Sequence, residues 1–130
     1  RIESGIASIK LMLERSPEKL GFAHHAIRGE GVSLLNKHIA QLQLWESCVS
    51  SCLDKDIQDE EEIGVEIAKV DKESARLING PEEFGGLRKA LIGSITGFKN
   101  LVIKKSYIES IEFKILTSIG FANNFSILDL

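Results

Sequence analysis

The chain has few prolines and few cysteines. Its 130 residues include only 2 prolines, Pro17 and Pro81, so little interrupts long helices. The 2 cysteines, Cys48 and Cys52, are too few for a disulfide framework, and a reduced cytoplasmic protein is expected. Neither sign of charge dominates: 16 Lys and Arg against 19 Asp and Glu leave a net charge of -3. Without a clustered basic surface, nucleic acid is not expected as a partner. No apolar run is long enough to span a membrane. The longest such stretches, around 101–103 and 115–119, are broken by Lys or Ser. No signal peptide is expected from the helix-like isoleucine spacing of the first residues, and a start at Arg1 instead of methionine is that expected of a fragment or a processed form.

What remains is helical periodicity. At about 100° per residue, Ile2, Ile6, Ile9 and Leu13 fall on one stripe. Ser16-Pro17-Glu18 then reads as a helix start, with Ser as N-cap, Pro in the first helical position and an acid in the first turn. This second helix is predicted over residues 17–34, with a short break at Asn36 and Lys37. A third helix runs to about Leu53, carrying Leu35, Ile39, Leu42, Val49 and Leu53, with Trp45 on its flank. Residues 54–62, DKDIQDEEE, read as a solvated connection running into an acid-rich helix N-terminus. A fourth helix over 60–78 aligns Ile63, Ile67, Val70, Leu77 and Ile78. Asn79-Gly80-Pro81 stops it, and a fifth helix over about 81–103 follows, with Phe84, Leu87, Leu91, Ile95, Phe98 and Val102 in line. Lys99, Lys104 and Lys105 suit the C-terminal end of that helix. Tyr107, Ile108, Ile111, Ile115 and Ile119 fit a last helix, although IEFKI also alternates like a strand, and residues 120–130 read as an irregular tail. The pattern predicts an all-α protein: an antiparallel helical bundle of five or six helices in a single domain over 1–130.

One stretch asks for more than packing. In FAHHAIRGEGVSLL, residues 22–35, two histidines precede an arginine and two nearby glycines. On a helical wheel Leu20, Ala23, Ile27, Gly31 and Leu34 form the core side, with His24 on its flank. His25 points the other way and shares an outer stripe with Glu18, Phe22, Gly29 and Val32. An aromatic, an imidazole, a bare glycine backbone and a valine make an unusual solvated face, and Arg28 sets a fixed cation beside the imidazole. Glycine inside a helix costs about 1 kcal/mol relative to alanine, so its position here calls for a reason.

His25-Ala26-Ile27-Arg28-Gly29 resembles the phosphoacceptor motif of histidine phosphotransfer (HPt) domains: His, any residue, a hydrophobic residue, Lys or Arg, then Gly. The apolar continuation GVSLL and the helix assignment around it extend the resemblance over about residues 1–79, as an HPt-like four-helix bundle with 81–130 as a C-terminal helical extension. Glu30 stands where the family has a small residue, and Leu35 where glycine is frequent. The resemblance implies a phosphocarrier rather than a classical enzyme. His25 would accept a phosphoryl group from a receiver-domain aspartate or a kinase and pass it to a response regulator. Arg28 would steady the phosphate, and Phe22, Gly29 and Val32 would form the docking rim. A neutral imidazole is nucleophilic near neutral pH, and the receiver would bring the acidic pocket and the magnesium, so this chain needs no cofactor and no metal of its own.

The same residues allow other readings. Gly29 and Gly31 can end a helix at Arg28, with the histidines incidental. His24, His25, His38 and Glu30 are candidate metal ligands only loosely, because adjacent histidines on a helix diverge by about 100° and no ExxH or CxxC spacing occurs. Cys48 and Cys52 behave as small apolar residues beside the core stripe. The alternative function is a non-enzymatic helical interaction or regulatory module. Residues 81–119 are apolar enough to serve as a homodimer or partner interface.

Overall fold

The computed structural model describes residues 2–21, 27–81 and 85–122, without the side chains of residues 87 and 120–122. Five helices and one small hairpin follow in order: α1 (Ile2–Glu14), β1 (Lys19–Gly21), β2 (Ile27–Gly29), α2 (Gly31–Asp54), α3 (Glu60–Val70), α4 (Lys72–Ile78) and α5 (Gly85–Ala122). The all-α bundle expected from the periodicity is what the chain forms.

Its core gathers the predicted stripes. Val49 and Cys52 of α2, Ile63 and Ile67 of α3, Ile78 of α4, and Leu91, Ile95 and Phe98 of α5 make one buried cluster. Burying each large side chain contributes about 1.5–3 kcal/mol, so this cluster dominates the stability of the bundle. Trp45 packs on Phe98 with ring centroids 5.7 Å apart and planes tilted by 49°. In α1, Ile9 is buried while Ile2, Ile6 and Leu13 are half-buried.

Helix starts follow local chemistry. The Asp59 side chain accepts from the Glu62 backbone N–H at 3.0 Å and caps α3, whose first turn is Glu60, Glu61 and Glu62. The acid-rich connection is therefore a helix start, as its composition suggests.

Four boundaries differ from the expectation. Residues 17–34 are not one helix. Lys19–Gly21 and Ile27–Gly29 pair as antiparallel strands, with Leu20 opposite Arg28. Ser16 takes a left-handed backbone (φ 45°) and turns the chain out of α1 instead of capping a new helix. α2 begins at Gly31 and passes through Asn36 and Lys37 without a break. The helix expected over 60–78 is two helices with a corner at Asp71, which is at once the C-cap of α3 and the N-cap of α4. Finally, the helices expected over 81–103 and 107–119 are one continuous α5 of 38 residues. At about 1.5 Å per residue that is about 57 Å of helix, far longer than the bundle helices beside its first half.

Lys99, Lys104 and Lys105 therefore sit inside a helix, not at its end. Each is braced to a different partner helix: Lys99 to Glu60 of α3 at 3.0 Å, Lys104 to Glu3 of α1 at 3.8 Å, and Lys105 to Glu46 of α2. Together these contacts set the direction in which α5 leaves the bundle.

Candidate interaction surface

Three places could carry function: the segment with the histidines, a cleft over Asp71, and the far half of α5. Around the histidine segment, the described flanks depart most from the expectation. Phe22, His24 and His25 lie outside the described residues. Arg28 and Gly29 lie in β2 and are exposed, and Ile27, expected on a core face, is 72% exposed. Val32 lies in the first turn of α2, 38% exposed. Gly29 and Val32 thus belong to different elements and share no helix face.

The glycines have separate explanations. A Cβ at Gly29 would meet nothing within 4 Å. A Cβ at Gly31 would collide with the Pro17 carbonyl, and the Gly31 N–H donates to Glu18 O at 3.0 Å. Gly31 is therefore a close-approach glycine that locks the start of α2 against the chain entering the hairpin. Neither glycine has a positive φ. The left-handed residue is Glu30 between them, at φ 59°, ψ 40°.

The second place is built around a buried carboxylate. Asp71 Oδ2 accepts from Ser74 Oγ at 2.5 Å, Trp45 Nε1 at 2.8 Å and Gln41 Nε2 at 3.0 Å, and Oδ1 accepts from the Glu73 N–H at 3.2 Å. Burial by itself raises the Asp71 pKa. The hydrogen bonds from Ser74, Trp45, Gln41 and the Glu73 amide outweigh it and hold the carboxyl below its ordinary value. Beside it is a largely apolar cleft of about 540 Å³ lined by Leu20, Leu34, Leu35, His38 and Leu44. The carboxylate's donors all belong to the fold, so Asp71 acts as a staple between α2 and the α3–α4 corner. Sequence reasoning missed it. The available signal was the gap in the apolar stripe between Val70 and Leu77, where buried Ser74 sits.

Elsewhere the chemistry is quiet. The Cys48 thiol is pushed up to about 11 by burial and by the neighbouring Cys52, the reverse of an activated nucleophile. Among the described residues no three His, Cys, Asp or Glu side chains gather as a metal site, and no described helix is long and apolar enough to cross a membrane.

The third place is the far half of α5. Up to Leu101 the helix is packed, with Leu91, Ile95, Phe98 and Leu101 all buried. Beyond it, Tyr107 is 67% exposed, Phe113 60%, Leu116 57%, Ile115 53%, Ile108 42% and Ile111 37%. At about 100° per residue, Ile108, Ile111 and Ile115 form a stripe rotated about 130° from the Leu91–Ile95–Phe98 stripe. On the side of that second stripe, Ile2 of α1 lies against Gly97, 3.6 Å from where a Cβ would stand, and Glu3 reaches Lys104. α1 therefore covers this face only near its start. The opposite side carries Ser106, Ser110 and Thr117, with exposed Phe113 among them. Another flank, between α2 and α5, opens into a groove of about 1070 Å³ edged by Ser47, Ser50, Ser51, Ser106 and Tyr107. Comparison with protein-family models, curated proteins and solved structures returns no match.

Proposed function

We propose that the chain is a non-enzymatic helical interaction module in which a braced bundle presents the far half of α5 to a protein partner. The observation that carries this reading is the second apolar stripe. Exposed Ile108, Ile111 and Ile115 line one side of a helix whose other side carries Ser106, Ser110 and Thr117 around a single exposed aromatic, Phe113. A monomer gains nothing from such a face, whereas a helix-in-groove or helix-pair contact uses this 3-4 spacing. The three lysine braces support the same reading, because they fix the helix as a rigid element before a partner arrives, and pre-organisation lowers the ordering cost of binding.

The test places a photo-crosslinking benzoyl-phenylalanine at Ile115, on the stripe, in the full chain. A defined adduct is expected from position 115 and not from Lys89 on the near half. The purified partner should then bind the wild type and lose about tenfold or more in affinity with Ile111→Asp, the size expected when a charge is set in an apolar contact. No adduct at 115, or binding indifferent to Ile111→Asp, ends this reading. Acid-labile phosphate taken up from a phosphorylated receiver by the wild type but not by His25→Gln would move the function to the phosphorelay implied by the His25–Gly29 motif. That motif is the support such transfer has, and β2 removes the helical platform for its Arg28 and Gly29.

A further inference from the structure

The partner that the far half of α5 fits is a second copy of itself. Resting on the interaction reading above, we propose that two chains pair through the far halves of their α5 helices, antiparallel, with Ile108 of each packed on Ile111 of the other. The charge pattern sets the orientation. The Ile108–Ile111–Ile115 seam has Lys105 and Glu112 along one edge, and Tyr107 and Lys114 along the other. In an antiparallel pair like edges meet. Lys105 of each copy then faces Glu112 of the other, twice by symmetry, and Tyr107 lies beside the partner's Lys114, the geometry of a cation–π contact. In a parallel pair unlike edges meet, which sets Lys105 beside Asn100 and Glu112 beside Tyr107 and forms neither ion pair.

The intrachain contacts leave these groups able to pair. Glu112 is exposed and makes no ion pair among the described residues. The Lys105 ammonium has three donors, one of which Glu46 accepts, and its side chain is 46% exposed. The register is limited by α1. Its first turn lies by Gly97 and Glu3 reaches Lys104, so a partner helix on this face cannot slide toward the bundle past that point. The pairing of Ile108 with Ile111 brings the partner's Ile115 to the level of Lys104, just at that stop. Four isoleucines from Ile108 and Ile111 then close the centre of a short seam, which makes a reversible dimer in place of an obligate one.

Sedimentation equilibrium of the full chain over a micromolar to submillimolar series tests the pairing. The wild type is expected to be a reversible dimer. Lys105→Glu and Glu112→Lys alone each create two like-charge pairs across the seam and should weaken it by about tenfold, with unchanged helical content by circular dichroism. Mixing the two single variants should restore dimer. The carboxylate introduced at position 105 of one copy then meets the ammonium introduced at position 112 of the other, and the unaltered Lys105 and Glu112 meet across the second contact. Glu112→Lys, which disturbs no described ion pair, guards against a folding defect in Lys105→Glu. A wild type that stays monomeric throughout overturns self-pairing, as do variants that dimerise equally well and gain nothing on mixing. If the chain is monomeric while a different purified partner still binds in an Ile111-dependent way, self-pairing falls and the interaction reading stands.

Discussion

The two halves of α5 are one helix with one backbone and similar apolar content, yet they live in different environments. In the near half Ile95 is fully buried and Phe98 is 2% exposed, while in the far half Phe113 is 60% and Ile115 53% exposed. Periodicity decides which side of a helix is apolar; what covers that side depends on the lengths of the neighbours. α1, α2 and α3 supply cover as far as Leu101; beyond it α2 only edges an open groove at Ser106 and Tyr107 and leaves Ile108, Ile111 and Ile115 exposed. The far half is thus an unfinished packing problem built on a finished one.

The sharpest way to break that contrast is a matched pair of truncations. Phe98→Ala empties a position against Trp45 and the core cluster and should cost about 4 kcal/mol of unfolding free energy. Phe113→Ala, on the same helix and of the same chemistry, should change it by less than about 0.5 kcal/mol. Urea denaturation at low concentration, where association is suppressed, checks both. Equal costs would mean that the far half is packed even in the isolated chain, and the contrast between the halves would be lost.

The next effect belongs to the bundle that supports the near half. Asp71→Ala removes the acceptor for Ser74, Trp45 and Gln41 and the N-cap of α4, leaving mostly buried donors without a partner. About 3 kcal/mol of destabilisation is expected. Asp71→Asn supplies the sign with pH. The folded carboxyl titrates below its ordinary value, so its contribution is present above the unfolded value near ~3.9 and is lost as pH falls through the folded one. The stability gap between the wild type and Asp71→Asn should therefore be widest above about pH 5 and close on acidification. Denaturant melts at stepped pH read it directly. A gap that is constant with pH would mean that the carboxylate charge plays no part in the staple.

These sites also show what the amino-acid order discloses. The stripe of α1, the acid-led start of α3 and the Leu91–Ile95–Phe98 face are legible because each is a run of several turns in which burial and period agree. Residues 17–34 mislead because strands of three residues are too short to display a period of two. A chance 3-4 spacing of Leu20, Ala23, Ile27, Gly31 and Leu34 then looks like a core face, though Ile27 is exposed. The continuity of α5 through Lys104-Lys105-Ser106 is hidden for another reason. A cluster of lysines looks like a helix end until the acids that meet them, Glu3 and Glu46, are known to be near, and those lie about 60 to 100 positions away in the chain. Asp71 is hidden likewise, because a buried carboxylate is intelligible only beside donors drawn from Gln41 and Trp45. Of the candidate site, the apolar character of residues 107–119 is legible, and its exposure is not.

The smallest effects refine the contrast within the near half, which has a packed side and an open side. Gly64 of α3 meets the packed side. A Cβ there would stand 2.8 Å from Ile92 Cδ1 and 3.3 Å from Ile78 Cδ1. Both neighbours are ends of flexible side chains, so they can give way, but only by displacing atoms in a close-packed interior. The overpacking should outweigh the gain in helix propensity, and Gly64→Ala should cost about 1 kcal/mol. Gly93 of α5 faces the open side, where a Cβ meets nothing within 4 Å. There the propensity gain stands alone, and Gly93→Ala should stabilise by about 0.5–1 kcal/mol. Opposite signs, measured in the same thermal or urea experiment, would show that α3 sits tightly against α5 at Ile92. A Gly64→Ala that stabilises as much as Gly93→Ala would show a looser α3–α5 crossing, and the near half would then differ from the far half in cover but not in packing.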